Sequence, residues 1–232
     1  MTATAPLPFP VTPRRSPEEP EPDLFGFALV HRALRNGCRL LADALTGIAS
    51  GAPCDDRRKE AVVAFAGHML HEVHVHHSRE DDVLWPVITA SASAPIDLTP
   101  LTDDHVALQT VLDRAEGLLA AFAAQGPAAA GPLAAVLTQI ADSLDEHISE
   151  EERDLFPVVR RYVSAGDFAR VETRFRKGTS LGHMVFVLPW IADACRPEER
   201  AHLLASAPPP LRLLLRLVGP RWERRRDLVR GS

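Results

Sequence analysis

One line of residues occurs twice in this chain, and it constrains the fold more than any other feature. The segment HHSREDDVLWP at 76–86 returns 71 positions later as HISEEERDLFP at 147–157. Each copy holds a histidine, a glutamate four residues later, and then leucine, an aromatic residue and proline. One further histidine precedes each copy at a similar distance, His31 by 45 residues and His105 by 42. The sequence therefore contains two equivalent halves.

The spacing within each half predicts where its side chains meet. Residues four apart lie on one face of an α-helix, so His76 and Glu80 point to one location, and so do His147 and Glu151. In an antiparallel four-helix bundle, inward side chains from all four helices meet at one level of the core. Carboxylates and imidazoles buried there without partners would each cost several kcal/mol. Metal ions remove that cost, and imidazole with carboxylate suits iron, manganese or zinc.

Apolar residues repeat with the helical period from Asp23 onward, which predicts a first pair of long helices. The first helix begins with Asp23 as its cap and ends near Ser50. The second begins at Asp55 or Asp56 and carries the first copy of the repeat. Pro86 is expected to kink or end this second helix, because proline cannot continue the hydrogen-bond pattern.

The second pair of helices follows the same pattern. Thr99 is expected to cap a third helix that begins at Pro100 and ends near Gly126. The fourth helix is opened by Gly131-Pro132 and carries the second copy. The fold class is therefore all-α, an antiparallel up-down-up-down four-helix bundle with a helical C-terminal extension.

Three parts of the chain differ in composition. Residues 1–22 contain seven prolines and are expected to be disordered. Residues 23–163 form the bundle. Residues 164–232 form the extension, with an apolar stretch from Leu181 to Asp193, a last apolar helix from Leu211 to Val218, and an arginine-rich tail that is expected to be solvated.

Charge and cysteine usage exclude several classes of protein. The net charge of −5 gives no basis for nucleic-acid binding, and no apolar run of about 18 residues predicts a membrane span. The N-terminus lacks the basic and apolar regions of a signal peptide. Cys38, Cys54 and Cys195 form no CxxC motif, which favours a reducing compartment. We therefore expect a cytoplasmic protein.

The two halves together resemble the hemerythrin-like family, also called the HHE cation-binding domain. The resemblance covers roughly residues 23–163 and rests on the two His-x-x-x-Glu copies and the histidine before each. It implies a non-haem centre of two iron ions, with manganese or zinc as alternatives. By this resemblance His31 and His76 would bind one iron, His105 and His147 the other. Glu80 and Glu151 would bridge both.

One departure from the family pattern bears on function. Oxygen-carrying hemerythrins have a further histidine one turn after the histidine of the third helix, and here that position is Gln109. Fewer protein ligands leave more open positions on iron. The resemblance therefore implies peroxide or oxygen chemistry, as in bacterial hemerythrin-like proteins, rather than reversible O2 carriage.

Each of four other polar residues has two possible roles. His77 is an extra ligand or an edge residue facing Asp81, and Glu72 is a hydrogen-bond partner of a ligating histidine or an edge carboxylate. Gln109 bonds a bound water or peroxide, or else a neighbouring side chain. His183 is a core residue, or the extension lends it to the metal site. Three further carboxylates are assigned to a charged outer face: Asp81, Glu150 and Glu152.

The leading functional hypothesis is peroxide disproportionation at the iron pair, with O2 or H2O2 as partner. One alternative is a sensor of iron, O2 or NO without turnover, read through the extension. Another is an oxygen-activating enzyme that acts on a small organic molecule held in a pocket under the extension. The apolar extension is also a candidate homodimer contact, and no separate Ser, Cys or Lys nucleophile with a matching base is evident.

Overall fold

The computed structural model describes residues 6–92, 95–177 and 180–232, and every regular element among them is helical. The all-α prediction is therefore confirmed. The helices are α1 (Phe25–Ala49), α2 (Asp56–Arg79), α3 (Trp85–Ser91), α4 (Thr99–Gln125), α5 (Ala130–Glu150), α6 (Phe156–Tyr162), α7 (Ala165–Arg176), α8 (Leu181–Ala194), α9 (Pro197–Ser206) and α10 (Pro209–Arg230).

Four long helices close a ring around the main core. Helix α1 packs against α5, α5 against α4, α4 against α2, and α2 against α1. Each helix buries one apolar stripe at the helical period, which is what drives such a bundle together. The largest fully buried side chains include Leu34, Leu41, Phe65, Leu112, Phe122, Leu137 and Ile140.

The starts of the four bundle helices, and the ends of the first and third, lie within one or two residues of their predicted positions. Asp55 caps α2, and its carboxylate accepts a hydrogen bond from the backbone N–H of Arg58 at 2.8 Å. Leu24, not Asp23, is the N-cap residue of α1, although the Asp23 carboxylate accepts from the backbone N–H of Phe25 at 2.9 Å. Helices α4 and α5 each begin one residue earlier than expected.

The prolines of the repeat do not end their helices. A wide turn with i→i+5 hydrogen bonding spans Glu80–Leu84, where the N–H of Trp85 donates to the carbonyl of Glu80, and α3 continues the helix beyond it. The second copy does the same at Glu151–Leu155, followed by α6. Proline has no N–H to give to the carbonyl four residues back, so the local pattern loosens. Such wide turns often lie at functional sites.

The proline-rich segment contains no helix over residues 6–22, and it lies against α6 and α7. The backbone N–H of Arg15 donates to the carbonyl of Tyr162 at 3.0 Å, and that of Thr12 donates to the Asp167 carboxylate at 2.9 Å. Phe9 packs on the apolar cluster at this end of the bundle. Residues 1–5 lie outside the described residues.

The C-terminal extension lies along one side of the bundle. Helix α8 packs on α1, and α10 packs on α2, α8 and α1. Helix α10 continues through Pro220 to Arg230: Trp222 and Val229 are buried in the main core, while the tail residues Arg221, Arg224, Arg225 and Arg230 are exposed, as expected. The buried guanidinium of Arg58 donates to the carbonyls of Val229 and Arg230 and so holds the end of α10.

One range of the chain passes a length-and-composition test for a membrane span. An 18-residue window within Thr99–Tyr162 has mean hydropathy of at least 1.2 and few charges. This range covers α4, α5 and α6, which fold back at Gly126, and their apolar side chains form the bundle core. Core helices of bundles satisfy the same test, so the window is weak evidence for a membrane.

Replacing Trp222 by alanine should destabilise the whole protein, because its indole fills the core between α2 and the extension. We expect a loss of about 3–5 kcal/mol in the free energy of unfolding. Leu213→Ala on the same helix is the matched control, since Leu213 is 59% exposed, and it should change stability by less than about 0.5 kcal/mol. Urea denaturation measures both. Equal, small effects would show that α10 does not stabilise the bundle.

Candidate metal centre

The structure brings the six predicted ligands together at one end of the bundle. His31 comes from α1, His76 from α2, His105 from α4 and His147 from α5. Glu80 and Glu151 are the first residues of the two wide turns. All six side chains are buried, and both glutamates are 0% exposed.

A first group of four ligand atoms belongs to His31, His76, Glu80 and Glu151, and these atoms lie within 4.8 Å of one another. His76 Nε2 lies 3.2 Å from Glu80 Oε1. His31 Nε2 lies 3.5 Å from Glu151 Oε2 and 4.0 Å from Glu80 Oε1. Two imidazoles and two carboxylates therefore surround one position.

A second group consists of His77, Glu80, His105 and His147. The Nε2 atoms of His105 and His147 are 3.0 Å apart, and the His77 ring stacks on His105 with centroids 4.2 Å apart. The sequence left His77 open between ligand and edge residue; the structure buries it in this group. At the matching position of the second copy stands Ile148, so the second metal position alone has three imidazoles.

Both glutamates span the two groups. Glu80 directs Oε1 toward His31 and His76, while its Oε2 lies 3.7 Å from His105 Nε2. Glu151 directs Oε2 toward His31, and its Oε1 lies 3.5 Å from His147 Nε2. Each carboxylate thus offers one oxygen to each side, as a bridging ligand does.

The donor set fits a metal pair because most of its inner atoms have no hydrogen-bond partner in the protein; the exceptions are His105 Nε2 and His147 Nε2, which contact each other. The Nε2 atoms of His31, His76 and His77 and both oxygens of Glu80 and Glu151 are buried without a hydrogen bond. Buried polar groups normally have partners, and an unpartnered carboxylate is the most costly kind. Cations between these nitrogens and oxygens would satisfy all of them, and mixed imidazole and carboxylate ligands suit iron.

Carboxylates outside the centre bond two of the imidazoles and lie near a third. His31 Nδ1 lies 3.0 Å from Glu152 Oε1, and His105 Nδ1 lies 3.0 Å from Asp81 Oδ1. His147 Nδ1 is 3.5 Å from Asp104 Oδ2. Such partners fix the ring and make its inner nitrogen a better ligand.

The assignment of Asp81 and Glu152 to an outer charged face was therefore wrong. The signal that identifies them is in the repeat itself, because each is the acidic residue directly after a bridging glutamate. Each one serves a histidine of the other half: Asp81 contacts His105, and Glu152 contacts His31.

Aromatic side chains cover the centre. The Phe27 ring lies 4.6 Å from the His31 ring, and the Phe156 ring stacks on His31 at 5.7 Å and lies 5.7 Å from Phe27. Trp85 stacks on His105 at 6.0 Å. The aromatic residue of each repeat copy therefore shields a histidine of the other half from water.

The other candidate residues lie outside the two groups. Gln109 faces outward, where its Oε1 lies 2.7 Å from His74 Nδ1 and its Nε2 donates to Asp113, so of the two alternatives it takes the bond to neighbouring side chains. Glu72 lies 2.5 Å from His183 Nε2. His183 therefore contacts a carboxylate one helical turn before His76, and it is not a member of either ligand group.

A cavity of about 750 Å³ adjoins the first group. It is bounded by α1, α2 and α7–α10, and we call it the side cavity. Its polar lining includes His76, Glu72, Arg79 and His183. Its apolar walls include Phe25, Val30, Phe175, Met184, Leu188 and Leu211.

Burial sets the protonation of the metal-free centre. It raises the pKa of Glu80 well above its usual value and that of Glu151 to about 8. It lowers the pKa of His76 well below its usual value and that of His147 to about 4. Neutral imidazoles are the form that binds metal, and the carboxylates must release protons when a cation enters.

Metal-free protein should lose stability as the pH rises from 6.5 to 8. In this window folded Glu151 keeps a proton that the unfolded chain, with a pKa near 4.5, has lost. The folded state then binds more protons, so its stability falls with pH by about 1 kcal/mol per pH unit. The histidines, whose folded pKa is lowered from 6.5, oppose this slope near pH 6.5, where the unfolded chain still holds part of their protons, so the fall is steepest toward pH 8. Urea denaturation should show the slope reduced in Glu151→Gln, and an unchanged slope would contradict the assignment.

Asp81→Asn should weaken metal binding without abolishing it, because the amide no longer holds His105 with a negative charge. We expect affinity to fall by about 10–100-fold. Asp82→Asn is the control, since Asp82 is exposed next to Asp81. Competition with a chromophoric chelator measures both. Equal affinities for the two variants would show that the Asp81 contact does not support the centre.

The comparisons with known proteins agree with this geometry. The family model for the hemerythrin HHE cation binding domain matches residues 27–159, which is more than half of the chain and includes all seven buried ligand candidates. No curated protein sequence and no solved structure matches the chain. With this match and this centre, the chain belongs to the hemerythrin HHE cation-binding domain family.

Proposed function

We propose that the chain is a non-haem di-iron protein whose metal pair binds and reacts with O2 or H2O2. The observation that supports this most is the pair of buried four-ligand groups sharing Glu80, whose carboxylate oxygens have no hydrogen-bond partner. Family membership supports a cation. Iron is favoured over manganese or zinc by the imidazole-rich, carboxylate-bridged ligand set.

The ligand count favours chemistry at the metal over simple storage. Each group offers four protein atoms, which leaves coordination positions open, as in the iron sites of oxygenases. A bound iron pair supplies the electron transfer. The protein holds the spacing through Glu80 and Glu151 and keeps water out with Phe27, Trp85 and Phe156.

Peroxide disproportionation remains the leading reaction, in which two molecules of H2O2 yield two of water and one of O2. It needs no bound organic substrate and no protein nucleophile. Cys38, the buried thiol in the middle of α1, is a poor nucleophile because burial raises its pKa to about 12. The centre itself would then carry the reaction.

A second candidate is oxidation of a small organic molecule, and the side cavity favours it. His76 belongs to the first ligand group and also lines the cavity. With H2O2 as oxidant, a C–H bond would become C–OH and the second peroxide oxygen would leave as water. The third candidate is a sensor that binds iron, O2 or NO without turnover.

The remaining expectations concern partners and location. A cytoplasmic protein is consistent with three unpaired cysteines, and O2 or H2O2 is the expected small partner, without nucleic acid.

A homodimer through the extension would use Val185, Leu213 and Leu217, which are exposed, because Phe186 and Trp190 are buried within the chain.

Removing either bridging carboxylate should release both metals. Reconstituted wild-type protein should hold about two irons per chain, whereas Glu80→Ala and Glu151→Ala should hold less than about one. Glu150→Ala is the control, because Glu150 belongs to neither ligand group. Iron is measured by a colorimetric chelator and O2 release by an electrode.

The outcomes separate the peroxide reaction from the other two candidates. Two irons with O2 release from H2O2 supports the peroxide reaction. Two irons without O2 release supports the sensor or the oxidation of an organic molecule. Absence of bound iron after reconstitution, or full retention in both alanine variants, would overturn the di-iron proposal.

A further inference from the structure

The side cavity has the size of a small-molecule site. Its volume of about 750 Å³ lies within the roughly 300–1,000 Å³ of known ligand pockets. Side chains from α7, α8, α9 and α10 form its roof, so the extension creates it. Apolar side chains form most of its wall, among them Val30, Phe175, Met184, Leu188 and Leu211. The hydrocarbon part of a small molecule fits such a wall.

The charged groups of the lining balance one another. They are three carboxylates and three guanidiniums, those of Asp23, Glu72, Glu172, Arg79, Arg176 and Arg212. Glu72 lies 2.5 Å from His183 Nε2, and the half-buried Glu172 pairs with Arg176 at 3.8 Å. Arg79 attracts Glu72 and has a further interaction within the chain. The buried and half-buried charges are therefore engaged, and a charged ligand would lose its water without gaining a free counter-charge.

One histidine of the metal centre offers this cavity a hydrogen-bond donor. His76 lines the cavity and belongs to the first ligand group. Its Nε2 is buried and lies 3.2 Å from Glu80 Oε1, so this nitrogen faces the metal position. The side chain is 6% exposed, and its accessible edge lies away from Nε2, where Nδ1 stands across the ring. In the part of the chain that the structure describes, no group accepts a hydrogen bond from this Nδ1.

This open Nδ1 sets His76 apart from the lone histidine of each half. The Nδ1 atoms of His31 and His105 each lie 3.0 Å from a carboxylate oxygen, of Glu152 and Asp81 respectively. A histidine that binds metal through Nε2 carries its proton on Nδ1 and normally donates it to an acceptor. The space that His76 adjoins is the side cavity. An acceptor atom of a bound molecule can therefore take the place that a carboxylate holds elsewhere.

We propose that the side cavity binds a neutral, mainly apolar molecule whose carbonyl oxygen accepts a hydrogen bond from His76 Nδ1, with its hydrocarbon part under α8 to α10. The balanced lining selects against acids and amines. The bound molecule would support His76 as Asp81 supports His105. The proton on Nδ1 depends on metal at Nε2, so this contact rests on the proposed function. The preference of the cavity for a neutral molecule does not.

Isothermal titration calorimetry of the iron-loaded full chain with methyl hexyl ketone tests the proposal. We expect saturable binding of one ketone per chain. Octanoate and octylammonium have the same number of carbon atoms but carry a charge, and they should each bind about tenfold or more weakly. Absence of saturable ketone binding, or binding of either ion as tight as that of the ketone, would overturn the proposal.

Variants on α8 place the ketone in the side cavity. Leu188→Trp and Met184→Trp fill the cavity and should each reduce ketone affinity by about tenfold or more. Val185→Trp is the control and should bind like the wild type, because Val185 is exposed and outside the cavity lining. Circular dichroism and iron content show that each variant is folded and loaded, and either filling variant serves if the other is not. Equal affinities for the filling and control variants would contradict this location.

Two further readouts test the contact with His76. The carbonyl stretch of the bound ketone, followed by isotope-edited infrared spectroscopy, should lie at lower frequency than in hexane, because its oxygen accepts a hydrogen bond. Iron loading should raise ketone affinity by about threefold or more, since metal at Nε2 fixes the donor proton on Nδ1. A hexane-like stretch, or equal ketone affinity with and without iron, would remove the contact from the account.

Two combinations separate this proposal from the proposed function. Two irons and peroxide turnover without ketone binding would leave the function standing and remove the ligand site. Ketone binding to a protein that takes up no iron would keep the neutral-ligand cavity and remove both the di-iron function and the contact with His76.

Discussion

Two carboxylates without partners, buried at the level where four helices meet, determine most of this structure. Glu80 and Glu151 are 0% exposed, and none of their oxygens accepts a hydrogen bond. Burial alone drives them toward the protonated form and drives the surrounding histidines toward the neutral form. The metal-free centre therefore carries little charge, and a pair of cations would satisfy its unpartnered atoms. The aromatic rings that cover the centre and the carboxylates outside it both support the binding of these cations.

The two halves of the repeat do not form two independent sites, because each half supplies side chains that contact the other. Each copy ends in a wide turn that supplies a bridging glutamate, an acidic neighbour and an aromatic ring. The acid and the ring of one copy act on the lone histidine of the other half: Glu152 and Phe156 on His31, Asp81 and Trp85 on His105. The halves differ at one ligand position, which is His77 in the first copy and Ile148 at the equivalent place in the second. The two metal positions are therefore unequal.

Features that depend on the spacing of residues along one helix could be predicted from the sequence. Features that depend on how distant segments pack against one another could not. Four helices and six inward ligands follow from spacing along single helices, because residues four apart share a face. The outward turn of Gln109 does not follow, since His74 on a neighbouring helix holds it. The roles of Asp81 and Glu152 required knowing which helix each faces. The side cavity could not be predicted, because it exists only through the placement of α7 to α10 against α1 and α2.

The most direct test of the central claim is an anomalous difference map from crystals of the iron-loaded protein, recorded at the iron absorption edge. The account predicts two peaks that share Glu80. One peak should lie among His31, His76, Glu80 and Glu151, and the other among His77, Glu80, His105 and His147. A single peak, a peak at other residues, or two peaks without Glu80 between them would contradict it.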